Sequence, residues 1–228
     1  MASGFSPTVR HHVVQRSNEV SHDPDGTSAR DGFTEAARAF VELVGSIDPA
    51  QLALPATPAW TVLELVGHTA RALLTVELAV AAPVDPASRH LASASEYFTA
   101  ALSVPGVHAG ILDRARASTE QLGDDPAVFV TTTAERVLAL VERTPDHQVV
   151  QHFAGRIAFC DYLVTRVVEL VLHTVDLQLA IGRAPSAPRG AAAATRDVVV
   201  ELVGRADALA VASVLTGRAA PAGCNVLR

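Results

Sequence analysis

The sequence predicts an all-α protein built on a four-helix bundle. Three observations carry that reading: apolar residues recur at helical spacing, proline and glycine fall between the periodic segments, and no convincing run of alternating β-branched residues occurs. The first helix is expected near residues 31–47, where Phe33, Ala36, Ala37, Phe40, Val41 and Val44 share a face, and it stops at Asp48-Pro49 because proline cannot continue it. A loop with Pro55 and Pro58 leads through Trp60 to Thr61-Val62-Leu63-Glu64, a capping box that opens a second helix over 61–82, ending before Pro83. Two covering helices are expected over 88–103 and 106–122, divided at Pro105-Gly106. Asp125-Pro126 starts the next helix, over 126–143, with proline at its first position. Residues 146–155 read as a connection or short extended piece, and a long helix over 160–182 ends at Gly182, with Pro185 and Pro188 beyond it. An amphipathic helix near 191–204 and a short one near 207–216 follow. The chain thus divides into an arm over 1–30, with His11, His12 and His22 solvated, a bundle over 31–185, and a short helical extension over 186–228.

Composition narrows the function. With 228 residues and 49% apolar content, the chain can close one substantial core. The net charge is −6 and there is no basic run, which disfavours nucleic acid as a partner. All 18 basic residues are arginine, so a Schiff-base lysine, a P-loop lysine and a protein-kinase lysine are excluded. The apolar stretches are cut by Arg71, Glu77, Arg166, Glu169 and Asp176 before reaching the roughly 20 residues a membrane span needs. Without a secretion signal, and with two cysteines only, Cys160 and Cys224, the chain is expected in the cytoplasm as a monomer or homodimer.

Chemistry concentrates on two helices. At about 100° per residue, Tyr162, Arg166, Glu169, His173 and Asp176 fall on one narrow stripe of a helix otherwise mostly Leu, Val and Ala. On the second helix, Thr61, Glu64, His68, Arg71 and Thr75 share a stripe in the same way. If the stripes face each other, His68, Glu169 and His173 converge with a coordination position left open, the ligand count of a catalytic zinc site. From spacing alone, a narrow polar stripe on an apolar helix is more often just its solvated side.

The segments Trp60-Thr61-Val62-Leu63-Glu64-Leu65-Val66-Gly67-His68 and Arg166-Val167-Val168-Glu169-Leu170-Val171-Leu172-His173-Thr174-Val175-Asp176-Leu177 resemble the two signature stretches, W-T-x-x-x-L-x-x-H and R-x-x-E-L-x-x-H-x-x-D-L, of the mycothiol-dependent maleylpyruvate isomerase family, within the DinB-like metalloenzymes. The resemblance spans about residues 33–185, with further similarity in Leu215-Thr216-Gly217-Arg218 and Pro221-Ala222-Gly223. It implies a DinB-like four-helix bundle with His68, Glu169 and His173 as ligands of Zn2+ or another divalent metal. It also implies a low-molecular-weight thiol, mycothiol, as cosubstrate. The isomerase proper carries an α/β C-terminal domain supplying a substrate-binding arginine. A short helical tail stands here instead, which leaves the substrate unassigned.

The resulting expectation is a metal-dependent transferase or isomerase that presents a thiolate to a small electrophilic substrate. The alternatives are a metal-dependent hydrolase or lyase, a non-catalytic metal or small-molecule binding protein, and a purely structural bundle. Arg166 is either an anion partner or a buried ion pair or cap, and Asp176 either orients an imidazole or forms such a pair. Trp60 is expected to pack the start of its helix and Cys160 to face away from the ligands; His152, beside Phe153, could line a pocket mouth, but surface placement is the expectation for a lone loop histidine. His90, His108 and His147 have no partners in pattern.

Overall fold

The computed structural model of the chain describes residues 28–105 and 107–204, and residues 107–113 only as backbone helix. The arm over 1–27, the short helix expected near 207–216, the closing motif and Cys224 lie outside the described residues.

Local chemistry sets most helix ends. Helix α1 (Ala29–Val44) starts at Ser28, whose side chain accepts from the Asp31 amide, and it buries Phe33, Ala36, Ala37, Phe40, Leu43 and Val44. Helix α2 (Val62–Ala81) has the capping box read from the sequence. The Thr61 amide donates to Glu64 Oε2 at 2.8 Å and the Glu64 amide to Thr61 Oγ1 at 3.3 Å. Helix α5 (Pro126–Arg143) starts on Asp125, which accepts from the amides of Ala127 and Val128. Helix α6 (Phe159–Ala180) has no side-chain cap. Instead the amides of Phe159 and Cys160 donate to the carbonyls of Gln148 and Asp146, which satisfies two of the donors a helix start leaves open. Beyond its C-terminus Gly182 takes a positive φ of 75°, a conformation that favours glycine.

These four helices form the bundle: α1 and α2 each pack against both α5 and α6. Phe33, Phe40, Leu65, Leu73, Phe159, Leu163 and Leu170 are fully buried between them. Each such side chain contributes about 1.5–3 kcal/mol by leaving water. Tyr162, also fully buried, donates its hydroxyl hydrogen bond to the Thr75 carbonyl at 3.1 Å and so fixes α6 against α2. Arg30 reaches from α1 to the last turn of α5, donating to the carbonyls of Val141 and Thr144 and pairing with Asp146.

Three further helices cover the bundle. Helix α3 (Ala94–Leu102) packs on α6, helix α4 (Val107–Gln121) on α2, and helix α7 (Arg189–Gly204) on α1 and α6. The α2–α4 seam is close because Gly67 has no side chain. A Cβ there would lie 2.9 Å from the Thr119 backbone.

A small sheet accompanies the expected helical bundle. Strands β1 (His90–Leu91), β2 (Val149–His152) and β3 (Gly155–Ala158) lie in the order β1-β3-β2, with β1 parallel and β2 antiparallel to β3. The expected helix over 88–103 therefore begins as a strand, and Ser93 caps α3 only afterwards. The connection over 146–155 is the first arm of a hairpin in which Val150 and Ile157 pair opposite each other and are both buried. Gly155 makes this possible, since a Cβ there would sit 2.4 Å from the Arg89 carbonyl oxygen. No helix among the described residues is long and apolar enough to cross a membrane.

Candidate metal centre

Crossing of α2 and α6 brings His68, Glu169 and His173 together, with one donor atom from each lying within 4.8 Å of the others. His173 Nε2 is 3.4 Å from Glu169 Oε2, and His173 Nδ1 is 3.2 Å from Asp176 Oδ2. The two imidazole rings meet edge to face at 4.8 Å, and Trp60 lies over His68 at 4.4 Å. Trp60 thus does more than pack the start of α2: its ring covers one donor. The buried Nδ1 of His68 has no hydrogen-bond partner.

Electrostatics at these residues follow from that geometry. Burial, reinforced by the neighbouring His173, lowers the His68 pKa to about 4, so its imidazole is neutral at physiological pH. Burial would also raise the Glu169 pKa and lower that of His173. Their mutual contact, the Asp176 carboxylate beside His173 and the Arg166 charge near Glu169 reverse both effects, so the Glu169 pKa falls and the His173 pKa rises.

The donor set fits a divalent transition ion. Two imidazole nitrogens and one carboxylate are ordinary zinc ligands, and ligands at 2.0–2.1 Å in tetrahedral array lie about 3.3–3.4 Å apart. The 3.4 Å between His173 Nε2 and Glu169 Oε2 matches that edge. Asp176 takes the other ring nitrogen, the usual arrangement for a metal-ligating histidine.

Above the donors opens a cavity of about 560 Å³, within the range of small-molecule sites. Arg166, Asp176, Trp60, Arg71 and Arg114 all line it. Arg166 is buried, and its guanidinium donates to Thr165 Oγ1 (3.0 Å), Thr75 Oγ1 (3.4 Å) and the Tyr97 hydroxyl (3.1 Å). It also lies over the rings of Tyr97 and Tyr162 at 5.4 and 5.1 Å. None of those hydrogen-bond partners is a carboxylate; the Glu169 carboxylate acts on Arg166 through its charge alone.

His152 corrects the sequence expectation of a surface histidine. The β2–β3 hairpin turns it inward against Tyr97 and Tyr162, with Nε2 3.4 Å from the Tyr97 hydroxyl and a buried, unpartnered Nδ1. Burial, with the charges of Arg166, Arg114 and Arg71, pushes its pKa down to about 3. Tyr97 was not singled out in the sequence, and burial raises its hydroxyl pKa despite the adjacent Arg166. Phe153 and Ala154 turn the hairpin that carries His152, and no local signal marks Tyr97. Cys160 is absent from the cavity wall, and burial together with Asp161 raises its thiol pKa.

Fold and site together define a class, the helical bundles whose facing helices present a His/Glu/His donor set to an open cavity. A family model described as the mycothiol maleylpyruvate isomerase N-terminal domain matches residues 33–178, and the chain belongs to that family, a DinB-like helical domain. The matched span runs from α1 into α6 and includes all three donors. No curated protein and no solved structure matches the chain.

Proposed function

We propose that the chain is a metal-dependent enzyme that uses a small thiol, mycothiol by its family, for thiol transfer to a small electrophilic substrate or for its isomerisation. The observation that carries this reading is the donor triad opening onto a substrate-sized cavity, with Asp176 holding the tautomer of one donor. His68, Glu169 and His173 would hold Zn2+ or another divalent transition ion. Bound there, such an ion supplies a Lewis acid that lowers the pKa of a coordinated thiol.

The chain's own groups do the rest. Asp176 accepts the His173 Nδ1 proton and so leaves Nε2 turned toward Glu169. Trp60 shields His68 from water on one face. Arg166, held by Tyr97, Thr75 and Thr165, sets a fixed positive charge on the cavity wall, where it favours negative charge developing on a substrate oxygen.

The test is conjugate formation between mycothiol and 1-chloro-2,4-dinitrobenzene by protein purified without chelator. The reading expects a rate above the uncatalysed one that vanishes in EDTA and returns with Zn2+. Conjugation that ignores EDTA, or is absent with mycothiol and with other small thiols, overturns it.

A further inference from the structure

The two histidines of the donor set are held in different ways. His173 has a carboxylate behind it: its Nδ1 lies 3.2 Å from Asp176 Oδ2, which fixes the tautomer and orients the ring. It also shares α6 with Glu169, one turn away, with Nε2 3.4 Å from Glu169 Oε2. His68 comes alone from α2 and forms no hydrogen bond among the described residues. Whichever of its nitrogens meets an ion, the other finds no acceptor there. An imidazole without such a partner keeps its freedom to turn about the Cβ–Cγ bond unless packing removes it.

Aromatic packing supplies that restraint. Trp60 covers one face of His68, with centroids 4.4 Å apart and planes at 30°, and His173 meets its edge at 4.8 Å and 78°. Turning the imidazole out of its plane would drive it into the indole. The indole is itself anchored through its backbone. The Ala56 and Thr57 amides donate to the Trp60 carbonyl at 2.9 and 3.0 Å, the Trp60 amide donates to Thr57 Oγ1 at 3.1 Å, and Pro55 bridges to Thr61 across the loop. The Val62 amide, the first of α2, donates to the Leu54 carbonyl at 2.8 Å, so the loop is tied to the helix that carries His68. A buried tryptophan usually finds an acceptor for its N–H, yet Nε1 of Trp60 is buried with none among the described residues. The side chain is placed for the face it offers and not for a hydrogen bond.

We propose that Trp60 is a positioning residue of the metal centre, its indole face doing for His68 what the Asp176 carboxylate does for His173. The assignment rests on His68, Glu169 and His173 holding an ion, and it is independent of any thiol chemistry. The ligand from α2 is then held to the ion by packing, and the α6 pair by charge and hydrogen bonding.

Competition between the full chain and a chromophoric chelator for Zn2+ measures the effect. Trp60→Ala should weaken Zn2+ binding about tenfold, the lower end for loss of a group that orients a ligand. Trp60→Phe keeps an aromatic face and should bind close to the parent. Trp60→Leu keeps apolar bulk without a flat face, should weaken binding as Trp60→Ala does, and carries the comparison with Trp60→Phe if Trp60→Ala does not fold. The same substitution made in His68→Ala protein, titrated at higher Zn2+, should cost nothing further, because the ligand it acts through is gone. Undiminished affinity in Trp60→Ala or Trp60→Leu, no recovery in Trp60→Phe, or an equal loss in the His68→Ala background would each overturn the positioning role and leave the metal centre standing. A parent chain that binds no Zn2+ would overturn both.

Discussion

Gly67→Ala reverses the usual sign of a glycine-to-alanine change in a helix. On an open helical face the substitution stabilises by about 1 kcal/mol, because alanine restricts the unfolded chain and favours the helix. At position 67 the new Cβ would lie 2.9 Å from the Cα, amide nitrogen and Oγ1 of Thr119. Two of those atoms are backbone, so no rotamer change relieves the contact and α4 must shift bodily away from α2. Overpacking of that kind costs about 1–3 kcal/mol, which exceeds the helical gain and leaves a net destabilisation of about 1 kcal/mol. For a chain of this size that corresponds to a melting temperature lower by about 2–4 °C. Thermal and urea denaturation of the metal-free protein measure it, with the m-value confirming that the transition is unchanged. A Gly67→Ala protein as stable as the parent, or more so, would refute the close α2–α4 seam.

Other perturbations read other parts of the site. Asp176→Asn removes the charged acceptor at His173 Nδ1. Because Asp176 is 43% exposed and partly screened, the loss in metal affinity should be about tenfold, the lower end for such a partner, measured by competition with a chromophoric chelator. An affinity equal to the parent's would remove Asp176 from the site. His152 has a folded pKa of about 3, below its unfolded value of about 6.5, so its contribution to stability is complete above pH 6.5 and is lost as pH falls toward 3. Between pH 7 and pH 5 that loss is about 2 kcal/mol. His152 is faced by Tyr97 from α3, Tyr162 and Arg166 from α6, Arg71 from α2 and Arg114 from α4, and among the described residues no carboxylate acts on it directly. Urea unfolding of EDTA-treated His152→Gln should show a correspondingly flatter pH dependence; parallel curves would contradict the buried, neutral imidazole. Cys160→Ser should leave metal content and thiol-dependent rate unchanged, since residue 160 is off the cavity wall; a drop in either would mean that α6 is rotated from its described phase.

What the sequence disclosed, and what it hid, divides along the range of the interactions. Helix starts at Thr61 and Asp125 were legible because a cap is set by residues within one turn. The stripe from Tyr162 to Asp176 was legible because helical phase alone puts those residues on one face. That the stripe meets His68, and does not face solvent, depended on α2 crossing α6, which no local signal encodes. The strand at His90–Leu91 is two residues long, too short for a period, and exists only because β3 arrives from more than sixty residues away. His152 was misplaced for the same reason: its neighbours in sequence, Gln151 and Phe153, do not reveal that the hairpin lies against α3 and α6. Arg114 carried no signal either, since its place on the cavity depends on how α4 packs against α2.

The central claim is that His68, Glu169 and His173 together hold one divalent ion, and metal analysis of the histidine variants tests it most directly. His68→Ala and His173→Ala each remove one of three protein ligands while the apolar faces of α2 and α6 remain. Protein purified without added metal or chelator should therefore contain close to one equivalent of metal as the parent chain, and less than about a tenth of that in either variant, with helicity by circular dichroism unchanged. Undiminished metal in both variants would contradict the account.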